Sequence, residues 1–316
     1  MYFFYIAIAE TRYLEDIFSK LSEYDDFFRK NNGIRIGALV RFTKWKKACT
    51  PCKLADKYNV PLFIDNGAFD YLTKSQLDAE AELEFNWRKW LMEYASFMSN
   101  WYSYVTAAAM PDVPVHGREF LPPSYRMVRI MQTATFHAKF AALLRRLEPA
   151  ALEKMIVVLQ GYTVKEYAAS LEEHMKNKDI LSDTLSFNPG REPYGGVFGV
   201  GSVCVRKPSS KGKTALLADG RAAGTLKQFM KEFLTYGWPE NVRGFHFFGL
   251  HTDAVRLFAN SPRYYASDTG AHGLNYRYKW RTVLGCKKPD AECYSRAIES
   301  QIRLTLSPFL SKQLTR

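Results

Sequence analysis

Short apolar runs rich in β-branched and aromatic residues alternate along the chain with longer segments of helical periodicity. Runs typical of buried strands lie near 2–8, 35–41, 62–65, 103–110, 155–160, 196–203, 243–249 and 263–267. Segments with helical spacing lie near 82–99, 122–147, 164–176, 223–236 and 252–259, and a final helix is expected near 290–305. This alternation predicts parallel strands joined by crossover helices.

Eight predicted strands follow one another without a linker rich in proline or glycine that would divide the chain. This organisation favours an α/β fold of one domain, a (β/α)8 TIM-like barrel with irregular insertions, and an open α/β sheet is the alternative. We place the barrel at 1–285 and a C-terminal helical extension, packed on the barrel, at 286–316.

The first ten residues, MYFFYIAIAE, are apolar but have neither a basic leader nor a small-residue cleavage site. They are expected to form the first strand rather than a signal peptide. No window approaches the roughly 18 apolar residues that a membrane span requires, so no membrane partner is expected.

Five cysteines are an odd number scattered over the 316 residues. A disulfide framework is therefore not expected, and a reducing cytoplasm is the predicted location. Cys49 and Cys52, with Cys286 and Cys293, offer four thiolates, but the second spacing is loose for zinc. We predict no metal site, although the residue spacing alone leaves zinc binding by these four cysteines open.

Lysine and arginine outnumber the acidic residues 44 to 32, which gives a formal net charge of +12. Such a balance predicts a polyanionic partner. Candidate nucleic-acid contacts lie in two segments that mix cations with aromatic rings and in one basic loop: Lys44, Trp45, Lys46 and Lys47; Arg277 and Lys279 within YRYKWR; and Arg206 and Lys207 within RKPSSKGK. Cations bind phosphates and rings stack on unpaired bases, whereas the alternative for each segment is an ordinary solvated surface.

Polar residues follow several of the predicted strands: Asp65, Asp112, Gln160, Ser202 and Asp268. Barrel enzymes build their active sites at this end of the strands, although any one such aspartate can instead cap a helix or make a turn. Two carboxylates in one pocket suit displacement at an anomeric carbon, where one attacks and the other moves protons. A further carboxylate and a carboxamide suit the donor and acceptor groups of guanine.

Five motifs occur in order between about residues 60 and 275: FIDNGAF, VVLQGY, FGVGSVCVR, FHFFGL and YYASDTGAH. Together they resemble motifs of the tRNA-guanine transglycosylases and, more closely, of the DpdA-like enzymes that insert 7-deazaguanines into DNA. The resemblance implies an enzyme, a base-exchanging glycosyltransferase that needs no cofactor. Its partners would be DNA and a free 7-deazaguanine base such as preQ0, with an accessory DNA-handling protein as a further candidate.

The resemblance also implies roles for individual residues. Asp268 would be the nucleophile that takes the deoxyribose C1′ into a covalent intermediate, and Asp65 would be the general acid and base. The base would be bound by Asp112, Gln160, the backbone around Gly199, Val200 and Gly201, and Phe69 as one wall of the slot. His246, inside an apolar strand, is expected to be a core residue.

Asn66 and Thr269 stand where serine is usual, but both keep a hydrogen-bonding side chain, so they bear on substrate preference more than on activity. Nothing after Asp268 matches the zinc module of the tRNA enzymes, which argues for the DNA branch or for a divergent branch. The alternatives are a tRNA-guanine transglycosylase without the zinc module, a glycosidase that leaves an abasic site, and a barrel that binds nucleic acid without catalysis.

Overall fold

A computed structural model describes residues 2–8, 12–68, 87–116, 121–203, 226–250, 252–269, 281–282 and 284–310. Several of the predicted contact residues lie outside these ranges: Phe69, Arg206, Lys207, Arg277 and Lys279. Their predicted roles stay predictions.

Nine short strands form one parallel sheet in the order β5-β4-β3-β2-β1-β9-β8-β7-β6. Their bounds are β1 Tyr2–Ala7, β2 Ile34–Arg41, β3 Leu62–Asp65, β4 Ala107–Ala109, β5 Met155–Ile156, β6 Val158–Leu159, β7 Val197–Val200, β8 Gly244–Phe247 and β9 Tyr264–Thr269. Strands β5 and β6 are the two halves of one extended segment, 155–159, which is interrupted at Val157. Because β5 pairs with β4 while β6 pairs with β7, this segment closes the sheet. The predicted (β/α)8 barrel is confirmed.

The helices are α1 Leu14–Asn32, α2 Thr50–Tyr58, α3 Trp87–Trp101, α4 Pro123–Leu147, α5 Val164–Met175, α6 Lys178–Leu181, α7 Leu226–Thr235, α8 Thr252–Phe258 and α9 Ala291–Leu310. Each strand segment is thus followed by a helix in the described chain, and α6 is an additional single turn. All eight predicted strands are present, whereas the sequence pattern missed α1 and α2.

Helix α9 packs against α1 and α8. It therefore occupies the place of the helix that follows the last strand and completes the outer ring. Residues Ala291–Leu310 of the predicted extension thus pack on the barrel, while the division of the chain at 285 stays a prediction.

Alternation along the strands divides the apolar side chains into two layers. On β1, Tyr2, Phe4 and Ile6 pack under the helices, while Phe3 and Tyr5 point into the barrel. The inner layer also contains Leu39, Phe63, Ile156, Val158, Tyr194, Val197 and Tyr265. Large rings therefore fill this interior, and the imidazole of His246 on β8 packs among them, against Tyr5 and Phe63.

Two pairs of cysteines form disulfides, Cys49 with Cys52 and Cys286 with Cys293. The expectation of unpaired cysteines is wrong, because local folding brings the Cα atoms of the two pairs to 5.2 and 5.7 Å. Paired in this way, these thiols cannot act as zinc ligands, and no cluster of metal-binding side chains occurs in the described ranges. None of the helices described has the length and apolar character to cross a membrane.

Candidate active site

A cavity of about 180 Å³ opens at the carboxyl ends of the strands. Its walls are formed by Leu39, Asp65, Asn66, Ala68, Asp112, Gln160, Gly201, Ser202, Phe248, Gly249 and Asp268. This volume is small compared with the roughly 300–1,000 Å³ of pockets for drug-sized ligands, so it suits one ring system rather than a whole nucleotide.

Five of the predicted site residues meet in this cavity: Asp65, Asp112, Gln160, Gly201 and Asp268. Two do not line it. Val200 is buried in the layer under the helices, and Gly199 faces the ring of Phe248 inside the barrel. Gly201 lies so close to the Gln160 amide that a side chain at position 201 would collide with it.

Asp65 ends β3 and is followed by a turn that holds its carboxylate. The Gly67 N–H donates to Asp65 Oδ1 at 3.2 Å. Gly67 has φ +66°, and a Cβ at this position would lie 2.6 Å from Cγ2 of Thr43. Both the backbone angle and the close approach of Thr43 therefore require glycine here.

Burial raises the pKa of Asp65 from its ordinary value near 4 to about 7. The neighbouring charges of Asp112 and Asp268 raise it further, while the Gly67 hydrogen bond and the positive charge of Arg41 oppose the rise. A carboxyl group with this pKa can both give and take a proton near neutral pH.

A chain of hydrogen bonds, which we call the amide clamp, joins Asn66, Asp112, Gln160 and Ser202. Asn66 Nδ2 donates to Asp112 Oδ1 at 2.5 Å, and Gln160 Nε2 donates to Asp112 Oδ2. The Ser202 hydroxyl donates to Gln160 Oε1 at 2.6 Å. Both carboxylate oxygens of Asp112 are thus held by amide groups.

Burial also raises the pKa of Asp112, to about 6, and the hydrogen bonds from Asn66 and Gln160 limit that rise. Asp112 is therefore predominantly ionised at neutral pH. In this state its carboxylate can only accept hydrogen bonds, so a ligand that it binds must present donors.

Asp268 lies near the end of β9 and is held differently. The Gly249 N–H donates to Asp268 Oδ1 at 3.1 Å, and His246 Nε2 lies 3.4 Å from the same oxygen. The described residues donate no hydrogen bond to Oδ2. Gly249 has φ +64°, the left-handed conformation that glycine adopts without strain.

His246 is fully buried, in agreement with the prediction of a core residue. Burial lowers the pKa of its imidazole, and the ring stacks on Phe63 with centroids 4.4 Å apart. Its Nδ1 lies 3.3 Å from the Tyr194 hydroxyl. A neutral ring protonated on Nε2 satisfies both Tyr194 and Asp268, a contact that the sequence analysis missed.

Phe248 is a second residue that the sequence analysis missed. Its ring lines the cavity and packs edge-on against Phe63, with centroids 5.7 Å apart. An aromatic ring on the wall of a small polar cavity suits a flat ligand. The signal in the sequence is the aromatic residue directly before the glycine of FHFFGL.

The basic segment 44–47 follows β2 and so lies on the same rim as the cavity. Lys44, Lys46 and Lys47 are exposed, but Lys46 forms an ion pair of 2.6 Å with Glu93. Trp45 packs against the core, so its ring is only partly accessible for stacking. The three lysines are thus exposed and the Trp45 ring is largely engaged in packing, and the nucleic-acid contact stays a prediction.

The fold and cavity together define a (β/α)8 barrel with an acidic site at its carboxyl rim. The sequence matches no protein-family model and no curated protein. One similar solved structure is fructose-bisphosphate aldolase from Plasmodium falciparum in complex with TRAP and a small-molecule inhibitor, with 13% identity, 96% of this chain and 90% of that chain covered, and a TM-score of 0.49.

A putative fructose-1,6-bisphosphate aldolase from Coccidioides immitis is similar at 9% identity and a TM-score of 0.48, with 98% of this chain and 91% of that chain covered. Similarities this loose carry no argument about function. The barrel topology follows from the strand pairing of this chain itself.

Proposed function

We propose that the protein is a DNA guanine transglycosylase, which exchanges guanine in DNA for a 7-deazaguanine base of the preQ0 type. The observation that carries the proposal is the meeting of Asp65, Asp112, Gln160 and Asp268 in one small cavity. These are the residues to which the transglycosylase-like motifs assign nucleophile, proton carrier and base-edge contacts. The combination of two weakly held carboxylates and one clamped carboxylate is suited to those separate tasks.

In the first half of the reaction, Asp268 attacks C1′ of the deoxyribose. A bond forms between C1′ and a carboxylate oxygen of Asp268, while the bond from C1′ to N9 of guanine breaks. Asp65 in its protonated form gives its proton to the departing base. The pKa of about 7 makes that proton available near neutral pH.

In the second half, the ionised Asp65 takes the N9 proton of the incoming 7-deazaguanine. N9 then attacks C1′, and the Asp268 carboxylate leaves. Each residue returns to its starting state, the sugar-phosphate backbone stays intact, and no redox cofactor or nucleotide energy is consumed.

The amide clamp provides the contacts for the base. Asp112 can accept from N1–H and the 2-amino group of guanine, and the Gln160 amide can donate to O6. Phe248 offers a flat surface beside these groups. Because a paired base exposes neither its C1′ nor its whole edge, the target nucleotide must be flipped or unpaired, and exposed lysines on the rim suit binding of its phosphates.

Incubation with labelled preQ0 and either guanine-containing DNA or tRNA tests the proposal. We expect label in DNA, and a covalent protein–DNA adduct that Asp268→Asn does not form. Label in tRNA alone would indicate the RNA enzyme, abasic sites would indicate a glycosidase, and DNA binding without label in either polymer would indicate a non-catalytic barrel.

A further inference from the structure

Asn66 stands beside Asp65, at the position where the resembling enzymes usually carry serine. Its side chain is buried, with 2% of the residue exposed. Its amide nitrogen donates to Asp112 Oδ1 at 2.5 Å and to the Met110 carbonyl at 2.8 Å. Its amide oxygen accepts from the Ala68 N–H at 2.9 Å. Both amide hydrogens are used, so Asn66 contacts Asp112 rather than a ligand in the cavity.

The orientation of Asn66 is unambiguous. The Ala68 N–H requires an acceptor, which places the amide oxygen there, and the Met110 carbonyl requires a donor. Asp112 therefore always receives an N–H from Asn66. At the other oxygen of Asp112, the ionised carboxylate can only accept, so the Gln160 amide must present its nitrogen there, and the Ser202 hydroxyl then donates to Gln160 Oε1.

We infer that Asn66 is a positioning residue that sets base specificity, because it holds Asp112 as a rigid double acceptor for a purine edge carrying both N1–H and a 2-amino group. The inference rests on the proposed function and specifies its ligand class as 2-aminopurin-6-ones and their 7-deaza forms. Each Asp112 oxygen keeps one acceptor site beside the amide hydrogen bond, and a base without the 2-amino group leaves one of these two buried sites unfilled, which is costly.

Serine at this position would act differently. A serine hydroxyl has one hydrogen, so it cannot donate to Asp112 and to the Met110 carbonyl at the same time. Asp112 would then lose part of its restraint. The backbone at this position is held independently, since Trp90 Nε1 on α3 donates to the Asn66 carbonyl at 3.1 Å. A change of the side chain therefore leaves the turn anchored.

The test compares dissociation constants of free guanine and of hypoxanthine, which lacks only the 2-amino group. For Asn66→Ala we expect the preference for guanine to fall about tenfold or more, as the loss of one hydrogen bond to a charged group implies. Asn66→Ser keeps one donor and should lose less. Thermal unfolding of the same variants measures any general destabilisation.

Thr133→Val is the matched control. The buried Thr133 hydroxyl accepts a hydrogen bond of 3.0 Å from the N–H of Val113, the residue that follows Asp112. It makes no hydrogen bond to the Asp112 carboxylate. This variant should unfold at a lower temperature yet keep the guanine preference of the wild type. A merely structural role of Asn66 predicts the same behaviour for Asn66→Ala.

Wild-type preference in both Asn66 variants would overturn the inference while leaving the proposed function intact. If Asn66→Ala does not fold, the guanine preference of Asn66→Ser tests the inference instead, because serine is the residue usual at this position. Conversely, a wild type that exchanges no base, or that binds hypoxanthine as tightly as guanine, would contradict the proposed function itself.

Discussion

Asp112 and Asp268 line the same cavity, yet the protein holds their carboxylates in different ways. Both oxygens of Asp112 accept hydrogen bonds from side-chain amides, those of Asn66 and Gln160. Asp268 is held through Oδ1, by the Gly249 N–H and the neighbouring His246. A carboxylate bound at both oxygens keeps its orientation, whereas one bound at a single oxygen can turn the other towards a carbon atom.

Asp65 belongs with Asp268 in this comparison. It accepts one backbone N–H, from Gly67, and its pKa near 7 lets it change protonation state. The cavity therefore has a rigid side, the amide clamp, and a side with two less restrained carboxylates. The same residue type is thus suited to recognition or to reaction according to how many hydrogen-bond donors the fold directs at it.

The largest expected effect is a loss of exchange rate on the less restrained side of the cavity, compared with a loss of guanine binding on the rigid side. Asp268→Ala should reduce the rate of base exchange by about a thousandfold or more, because it removes the nucleophile, while free guanine still binds. Asp112→Ala should instead weaken guanine binding, with a smaller loss of rate at saturating base. Single-turnover rates and base dissociation constants of both variants check this, and equal kinetic signatures would contradict the division.

A smaller effect concerns the pH dependence of stability. Because Asp65 has a higher pKa folded than unfolded, the stability conferred by its protonation is fully present below about pH 4 and is lost as the pH rises through about 7. Asp65→Asn should remove this loss, a change on the order of a few kcal/mol. The variant should gain unfolding free energy relative to wild type at pH 8 and little at pH 4.

Denaturant unfolding at both pH values measures this difference, and parallel curves for the two proteins would contradict it. The same variant should lose base exchange, because asparagine cannot carry the proton. Asp65 would then be a residue at which catalysis costs stability.

The smallest expected effect tests the rigid side at its outer end. Ser202→Ala removes the hydroxyl that donates to Gln160 Oε1 at 2.6 Å, so the Gln160 amide becomes freer to turn. Guanine affinity should fall by about two- to tenfold, the usual value of a neutral hydrogen bond. Isothermal titration with free guanine can resolve this change.

Ser186→Ala is a suitable control, since the buried Ser186 hydroxyl bonds to Val157 and Val197 away from the cavity. It should destabilise the protein without changing guanine affinity. If Ser202→Ala also leaves affinity unchanged, the amide clamp does not extend to Ser202.

Much of the fold could be predicted because parallel strands buried on both faces leave continuous apolar runs. All eight runs correspond to strands of the barrel. Helix α1 was missed although its apolar residues have helical spacing, since Asp25 interrupts the buried face. The structure explains this residue: its carboxylate accepts from Arg35 and from the Ile36 N–H, so burial is compensated.

Strand-end positions in the sequence are enough to expect Asp65, Asp112, Gln160 and Asp268 on one rim, because parallel strands of a closed barrel end on the same side. What each carboxylate contacts depends on the folded barrel. Asn66 and Asp112 are 46 residues apart in the chain, and no local pattern pairs them. Hydrogen bonding and burial depend on distances in space, so the rigid clamp, the shifted pKa of Asp65 and the contact of His246 with Asp268 arise only once the barrel has closed.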